Sequence, residues 1–287
     1  MILVTGVSGA LGGLVSRRLA ASGEVKVLTG SSSGEADRRL DFDEPGTLAE
    51  AFAGVDVLVF VSAGYAEDDV VFARHGAVVD AAARAGVRHV VYTSLVGSAD
   101  RLSIALPHRW TERRLAEAPF GVTVLRNGLY AELAAEWATG SAAAATGEFT
   151  AALGTGRVFL AAREDLAEAA VRVAAEAAAD LAAGVPVRHA DRVYELDGPE
   201  PIGGADIAEL LAEATGRPVA YRSQSTAELR ASLAGTPLLP YQVGHTVSMF
   251  NTIRSGLLEP SSPGDLAALL GREPRSARSL VAAALAG

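Results

Sequence analysis

The sequence predicts an α/β fold, a doubly wound parallel sheet with a smaller, mostly helical C-terminal lobe. Three observations predict it. Short apolar runs alternate with amphipathic helical stretches through the first 126 residues, the rhythm of β-α-β units. The first of these runs feeds a turn with Gly6, Gly9 and Gly12 at constant spacing, just before a helix. After Arg126 the alternation breaks into Ala-rich, mostly helical sequence.

The opening stretch is the most informative. Ile2 to Thr5 reads as a strand, and Leu11, Val15 and Leu19 recur at helical spacing. Between them, Gly6 permits a tight turn and Gly9 lets backbone N–H groups approach a pyrophosphate. Gly12 lets the helix pack on the strand, and the helix N-terminus supplies partial positive charge. The pattern predicts a Rossmann-type dinucleotide site, with Gly6, Ser8, Gly9, Ala10 and Leu11 expected around the cofactor; the alternative is a βα turn that needs glycine for packing alone.

The second strand spans residues 25–29. An NAD enzyme carries Asp or Glu near this strand's end, to bind the ribose 2′-hydroxyl. Here the end reads Thr29, Gly30, Ser31, Ser32, Ser33, Gly34, without an acid. The hydroxyls and N–H groups of Thr29, Ser31, Ser32 and Ser33 suit a 2′-phosphate, with Arg38 or Arg39 adding charge. NADP(H) is therefore favoured over NAD(H). Asp41 and Phe42 close the next short strand, where they would meet the edge and face of adenine, and a helix follows near 47–52.

Residues 55–61 form a near-continuous apolar run, as a buried parallel strand does. Ser62, Ala63 and Gly64 are small enough for a cofactor to lie against the strand ends. Residues 68–85 keep Val71, His75, Val78, Val79 and Ala82 on one helical face, and Gly86 stops the helix. A strand at 88–94 brings Thr93 and Ser94 to its end, and a helix at 107–118 leads to a strand at 122–126. Beyond lie an Ala-rich helix to about 138, a strand near 157–161 and a helix at 165–183. A strand at 193–197, a helix at 205–215 and a mostly helical remainder complete the chain. The expected division is a dinucleotide-binding domain over 1–126, with returns to the sheet around 157–197, and an interleaved substrate lobe over 127–287.

Composition narrows the function. A formal charge of −9 argues against nucleic acid and anionic membrane surfaces as partners. There is no cysteine, which excludes disulfides and thiolate chemistry, and the five histidines form no zinc-type pair, so no metal is expected. No apolar run is long enough to span a bilayer, and the N-terminus enters the first strand without a basic leader. A soluble, cytoplasmic protein is the expectation.

Several motifs jointly carry a resemblance. They are Gly6, Gly9 and Gly12; Asp41, Phe42 and Asp43; the run Val91 to Leu95; and His108, Thr111 and Glu112. Further on come Leu125 to Gly128 with Tyr130 and Glu132; Arg163 and Asp165 with the Ala-rich stretch after them; Tyr194 to Pro199; and Thr215 to Pro218. From Met1 to about Tyr221 the chain resembles an atypical short-chain dehydrogenase/reductase of the NmrA-like group, near its quinone-oxidoreductase branch. The resemblance implies NADP(H) binding and reduction of a carbonyl or quinone. The wider group also holds cofactor-binding regulators without established chemistry. Relatives often carry Arg at the end of the second strand, where this chain has Thr29 and Gly30, and the loop before Asp41 is shorter here.

Most short-chain dehydrogenases protonate the carbonyl oxygen with a tyrosine whose pKa is lowered by a lysine four residues on. That pair does not exist here, because Lys26 is the only lysine and Ser22 stands four residues before it. With Glu112 and Leu115 aligned on the Glu-x-x-Leu that follows the usual lysine, His108 takes the lysine position and Ile104 that of the tyrosine. Epimerases and dehydratases of sugar nucleotides need a strong acid/base there, so they are disfavoured. A quinone accepts hydride and takes its proton from water, and a ketone beside a phenolic hydroxyl protonates itself. The expected activity is hydride transfer from NAD(P)H to a quinone or aryl-conjugated ketone, as in tailoring of an aromatic natural product.

Candidate catalytic residues are Ser94, orienting a carbonyl or bonding backbone, and His108, bonding the nicotinamide ribose, acting as a weak acid or serving structure. Thr93 and Asn127 join the cofactor set, Asn127 at the nicotinamide amide. Tyr130 and Trp110 are candidates for the substrate pocket, and Arg163 is expected to pair with Asp165 or a backbone carbonyl. The rival reading is a non-catalytic NADP(H)-sensing regulator or scaffold of the same fold.

Overall fold

The computed structural model describes residues 1–23, 25–63, 65–258 and 265–286. In chain order the elements are β1 (Ile2–Thr5), α1 (Ala10–Ser22), β2 (Val27–Ser31), β3 (Arg38–Arg39), α2 (Gly46–Ala51), β4 (Val57–Val61), α3 (Asp68–Ala85), β5 (His89–Leu95), α4 (Ala105–Ala116) and β6 (Gly121–Asn127). They continue with β7 (Leu129–Tyr130), α5 (Glu132–Thr139), α6 (Ala143–Thr146), β8 (Glu148–Ala151), β9 (Arg157–Ala161), α7 (Arg163–Ala183), β10 (Arg192–Leu196), β11 (Pro201–Gly203), α8 (Gly204–Thr215), β12 (Ala220–Ser223), α9 (Thr226–Leu233), α10 (Pro240–Arg254), α11 (Asp265–Leu270) and α12 (Ala277–Ala286).

The chain forms two compact units. The first takes Met1–Ser94, Leu106–Arg126 and Leu166–Tyr194. Its sheet runs in the order β10-β6-β5-β4-β1-β2-β3, and the strands from β5 to β3 are parallel. The central strands are apolar because both faces are covered: Ile2, Leu3 and Val4 of β1 and Val57 to Phe60 of β4 are all fully buried. Phe52, Tyr92 and Leu115 fill the same core.

The second unit takes Leu95–Ala105, Asn127–Asp165 and the chain from Glu195. It carries a three-stranded sheet, β11-β9-β7, a parallel β12-β8 pair and helices α5, α6 and α8 to α12. Its core is separate, built on residues such as Phe149, Leu153, Leu160, Ile207 and Phe250.

Several expectations are corrected. β2 runs to Ser31, because Gly30 pairs with Thr5 and closes over Leu40, whose Cδ1 would lie 3.0 Å from an added Cβ. β3 is only Arg38–Arg39, so Asp41 and Phe42 sit in the turn after it. Of the stretch 157–197, β10 joins the main sheet whereas β9 pairs with β7 and β11. Among the described residues no helix is long and apolar enough to cross a membrane, and no group of three His, Asp or Glu side chains is placed to hold a metal ion.

Candidate active site

Gly6 turns the chain after β1 with φ of 63°, a left-handed conformation that favours glycine. Gly9 N–H donates to the Gly6 carbonyl at 3.0 Å. A Cβ on Gly12 would stand 2.3 Å from that same oxygen and 2.8 Å from the Thr5 carbonyl, so only glycine lets α1 start this close to β1. Ala10 and Leu11 open the helix, and its N-cap, Gly9, provides no side-chain acceptor. The first-turn amides therefore lack a capping oxygen of their own. Gly6 and Ser8 line a cleft of about 220 Å³ in the first unit.

The far wall of that cleft comes from Ser31 and Ser32 of the β2 end, Asp41, Phe42 and Asp43, Ala63 and Arg74. Thr29 does not line it. Its N–H and hydroxyl donate to Oδ2 of Asp37 at 2.8 and 2.7 Å, and these bonds lower the Asp37 pKa. The acid missing from the strand tip is thus supplied eight residues on, facing Thr29. Ser31 Oγ donates to the Ser33 carbonyl at 2.7 Å and accepts from Ser33 N–H, which closes a local turn and leaves Ser33 off the cleft.

The expected basic residues are engaged elsewhere. Arg38 donates to the carbonyls of Glu50, Ala51 and Ala53 at the end of α2, and Arg39 pairs with Glu44. The cation lining the cleft is Arg74 from α3, whose Nε and Nη2 donate to the Asp43 carboxylate at 2.7 and 2.6 Å. These bonds hold the Asp43 carboxyl below its ordinary pKa. Arg74 escapes a sequence reading because its neighbour His75 marks the apolar face of α3, and nothing in the linear pattern says what the helix edge meets.

At the ends of β4 and β5, Ser62 N–H donates to Thr93 Oγ1 at 3.0 Å, and Ala63 N–H to His75 Nε2 at 3.1 Å. Gly64 lies outside the described residues. Nδ1–H of His75 donates to Thr111 Oγ1 at 2.7 Å, and the Thr111 hydroxyl donates a hydrogen bond to the Pro107 carbonyl. Burial, with the neighbouring His108 and Arg74 charges, drives the His75 pKa down to about 3, so it stays neutral. It is a strut for the β4–α3 loop as well as a core residue.

His108 is also neutral. Tyr92, fully buried and with its hydroxyl pKa raised by burial, shares a hydrogen bond with His108 Nδ1 at 2.9 Å. Burial and the Arg109 charge lower the His108 pKa to about 4. The imidazole is therefore uncharged at neutral pH. Ser94 donates its hydroxyl proton to Glu112 Oε1 at 2.5 Å, and Glu112 is held by Arg109 and Arg126 at 2.7 Å each. Burial raises the Glu112 pKa, but the bonds from Arg126 and Ser94 and the two arginine charges bring it below the ordinary value. Ser94, expected to orient a carbonyl or to bond backbone, thus bonds the Glu112 carboxylate of this ion cluster. Trp110 packs on Phe72 of α3, ring centroids 5.1 Å apart, beside Gly76.

The second unit holds the remaining candidates. Asn127 is buried and its Oδ1 has no hydrogen-bond partner among the described residues. Arg163 lies over the Tyr130 ring at 4.6 Å, and its backbone N–H donates to Glu132. It does not pair with Asp165, which is fully buried and bonded by Arg272 and Arg275. Asp197 was not foreseen: burial and the Glu195 charge push its pKa up to about 7, and its Oδ2 is buried without a partner.

Comparison with known proteins places the chain. The model of the NmrA-like family matches residues 1–111. Quinone oxidoreductase 2 of Escherichia coli (strain K12) is 32% identical over 250 residues, 83% of this chain and 82% of that one. The chain belongs to the NmrA-like family. It is an oxidoreductase. An NAD(P)H azoreductase of Xenophilus azovorans is 28% identical over 247 residues, 82% of this chain and 81% of that one. Among solved structures, the Citrobacter sp. triphenylmethane reductase complexed with NADP(H) superposes with a TM-score of 0.85, at 26% identity and over 99% of both chains. The fold of this NmrA-like protein thus has a full-length counterpart.

Proposed function

We propose that this NmrA-like protein is an NADPH-dependent reductase that delivers hydride to a quinone or to an aryl-conjugated ketone. The cleft of the first unit carries this reading, because its residues fit a dinucleotide. Gly12 excludes a Cβ where the helix must close on the strand, and the uncapped first turn of α1 suits a pyrophosphate. Asp41, Phe42 and Ala63 suit adenine, while Ser32 and Arg74 suit a 2′-phosphate. Bound there, the cofactor supplies the hydride. With His108 neutral and Ser94 turned to Glu112, the proton comes from water or from the substrate's own phenol. The relatives named for quinone, azo and triphenylmethane reduction support a conjugated, aromatic acceptor.

The test is nicotinamide absorbance with a panel of quinones and hydroxyaryl ketones. Turnover with NADPH is expected. Cofactor binding with no turnover on any acceptor would favour the sensing regulator, a reading to which the lack of an acidic group at Ser94 and His108 lends weight. Arg74→Ala should weaken NADPH by about 10- to 100-fold, the loss of one charge-assisted contact, and NADH far less. Equal losses would mean that Arg74 serves adenine and not the phosphate.

A further inference from the structure

Asp43 and Arg74 meet at the wall of the first unit's cleft, and each is fixed from its own side. Asp43 N–H donates to Oδ1 of Asp41 at 2.9 Å, a turn that the aspartate side chain closes locally. Thr47 pins the same turn, because its hydroxyl oxygen accepts from Asp41 N–H at 3.0 Å while its proton goes to the Glu44 carbonyl at 2.8 Å. Arg74 is anchored through its neighbour. His75 is fully buried and accepts from Ala63 N–H, which ties α3 to the loop after β4. With both backbones held, the freedom that remains lies in the two side chains.

The cleft is poor in positive charge. Among the described residues, Arg74 is the one cation lining it, against the carboxylates of Asp41 and Asp43. Nε and Nη2 of Arg74 are both spent on Asp43, at 2.7 and 2.6 Å, as a guanidinium fork on a carboxylate. A dinucleotide with a free ribose 2′-hydroxyl leaves this pair intact. A 2′-phosphate brings a charge of about −1.5 to −2 into a cleft whose cation is already neutralised. It gains a strong contact only by taking the guanidinium from Asp43. The exchange is feasible because the Asp43 side chain is 58% exposed, so that water solvates the released carboxylate, whereas Arg74 is 24% exposed and stays at the cleft wall.

We propose that Asp43 sets the choice between NADH and NADPH by competing with the ribose 2′-phosphate for Arg74. The chain then accepts both cofactors, and its preference for NADPH is narrowed by the cost of displacing Asp43. This deepens the reductase reading and rests on its assignment of the cleft to a dinucleotide. An acid at the tip of the second strand favours NAD by holding the ribose hydroxyl. Asp43 reaches a similar end by another route, since it withholds the cation that a phosphate needs.

The experiment is titration calorimetry on the full chain, with 2′,5′-ADP and 5′-AMP as probes that differ only in the 2′-phosphate. Asp43→Asn should raise the preference for 2′,5′-ADP about tenfold, nearly all of it through tighter binding of that probe. In an Arg74→Gln background the same Asp43→Asn change should move the ratio by no more than about twofold, because the contested cation is gone. NADP+ and NAD+ should follow the same order. Circular dichroism and melting temperature establish that each variant is folded.

An unchanged ratio in Asp43→Asn overturns the proposal. So does a larger gain in the Arg74→Gln background, since Asp43 would then act by repulsion alone. If the wild type binds neither the mononucleotides nor the dinucleotides at millimolar concentration, the cofactor assignment falls and the proposal with it. A ratio that shifts as expected, without turnover of any quinone or hydroxyaryl ketone, would sink the reductase reading and leave the role of Asp43 standing.

Discussion

At the scale of single residues, the informative side chains are those whose ordinary chemistry has been suppressed. Asp197 carries a carboxyl pushed up to about 7, with one oxygen buried and unpartnered. The sign follows from linkage. The folded state holds this proton more tightly than the unfolded chain, so stability falls as pH rises from the unfolded value near 4 towards 7. Asp197→Asn is therefore expected to stabilise the protein by about 2–4 kcal/mol at pH 8 and little at pH 4, read from denaturant midpoints at the two pH values. His108 works in the opposite sense. Because burial and Arg109 bring its pKa to about 4, kcat/KM should show no ionisation from it between pH 6 and 8. An inflection there that disappears in His108→Gln would show that it titrates during turnover.

At the scale of elements, close approach decides what can be changed. Gly12 faces the Gly6 carbonyl at 2.3 Å from its missing Cβ. Gly12→Ala must push α1 off β1, with an expected loss of about 1–3 kcal/mol and a weakened dinucleotide site, measurable as a lower melting temperature and a higher Kd for NADPH. Gly13→Ala in the same helix, with contacts of 3.0 Å or more, should lose less. The elements were largely legible because their periodicity is strong. The apolar face of α3 and the buried run of β4 need no tertiary information. β2 was misjudged by two residues because Gly30 reads as a breaker, yet it is a strand residue chosen to fit beneath Leu40. β7, β11 and β12 are too short to show a period, and their pairing partners lie far off in sequence.

At the scale of the molecule, each unit has its own core and is woven from several stretches of chain. The first unit needs α7 and β10, which arrive only after residue 162. A fragment of residues 1–126 leaves β6 without β10, its outer neighbour in the sheet. It is expected to lack the cooperative melting transition of the full chain, as followed by circular dichroism. The same unit buries His75, His89 and His108, with pKa values held down to about 3, 4 and 4. Each binds its proton first in the unfolded chain, so stability is fully present above about 6.5 and falls by ~1.4 kcal/mol per pH unit per group as pH drops towards 4. His89→Asn should flatten that acid limb in a melting series.

What the sequence by itself determined is local and periodic: the glycine turn, the alternation of strand and helix, and the absence of a tyrosine–lysine pair. All three are properties of neighbouring residues or of composition, and the chain cannot lose them on folding. The tertiary structure alone decided which side chains keep unused chemistry. Arg38 and Arg39 read as phosphate ligands, but one caps α2 and the other pairs with Glu44. Arg74, far off in sequence on α3, lines the cleft. Asp165 or a backbone carbonyl was the expected partner of Arg163, and Asp165 is shared by Arg272 and Arg275 from the far end of the chain. A charged group takes whichever counter-charge the fold brings within reach, and that distance is not written in sequence separation.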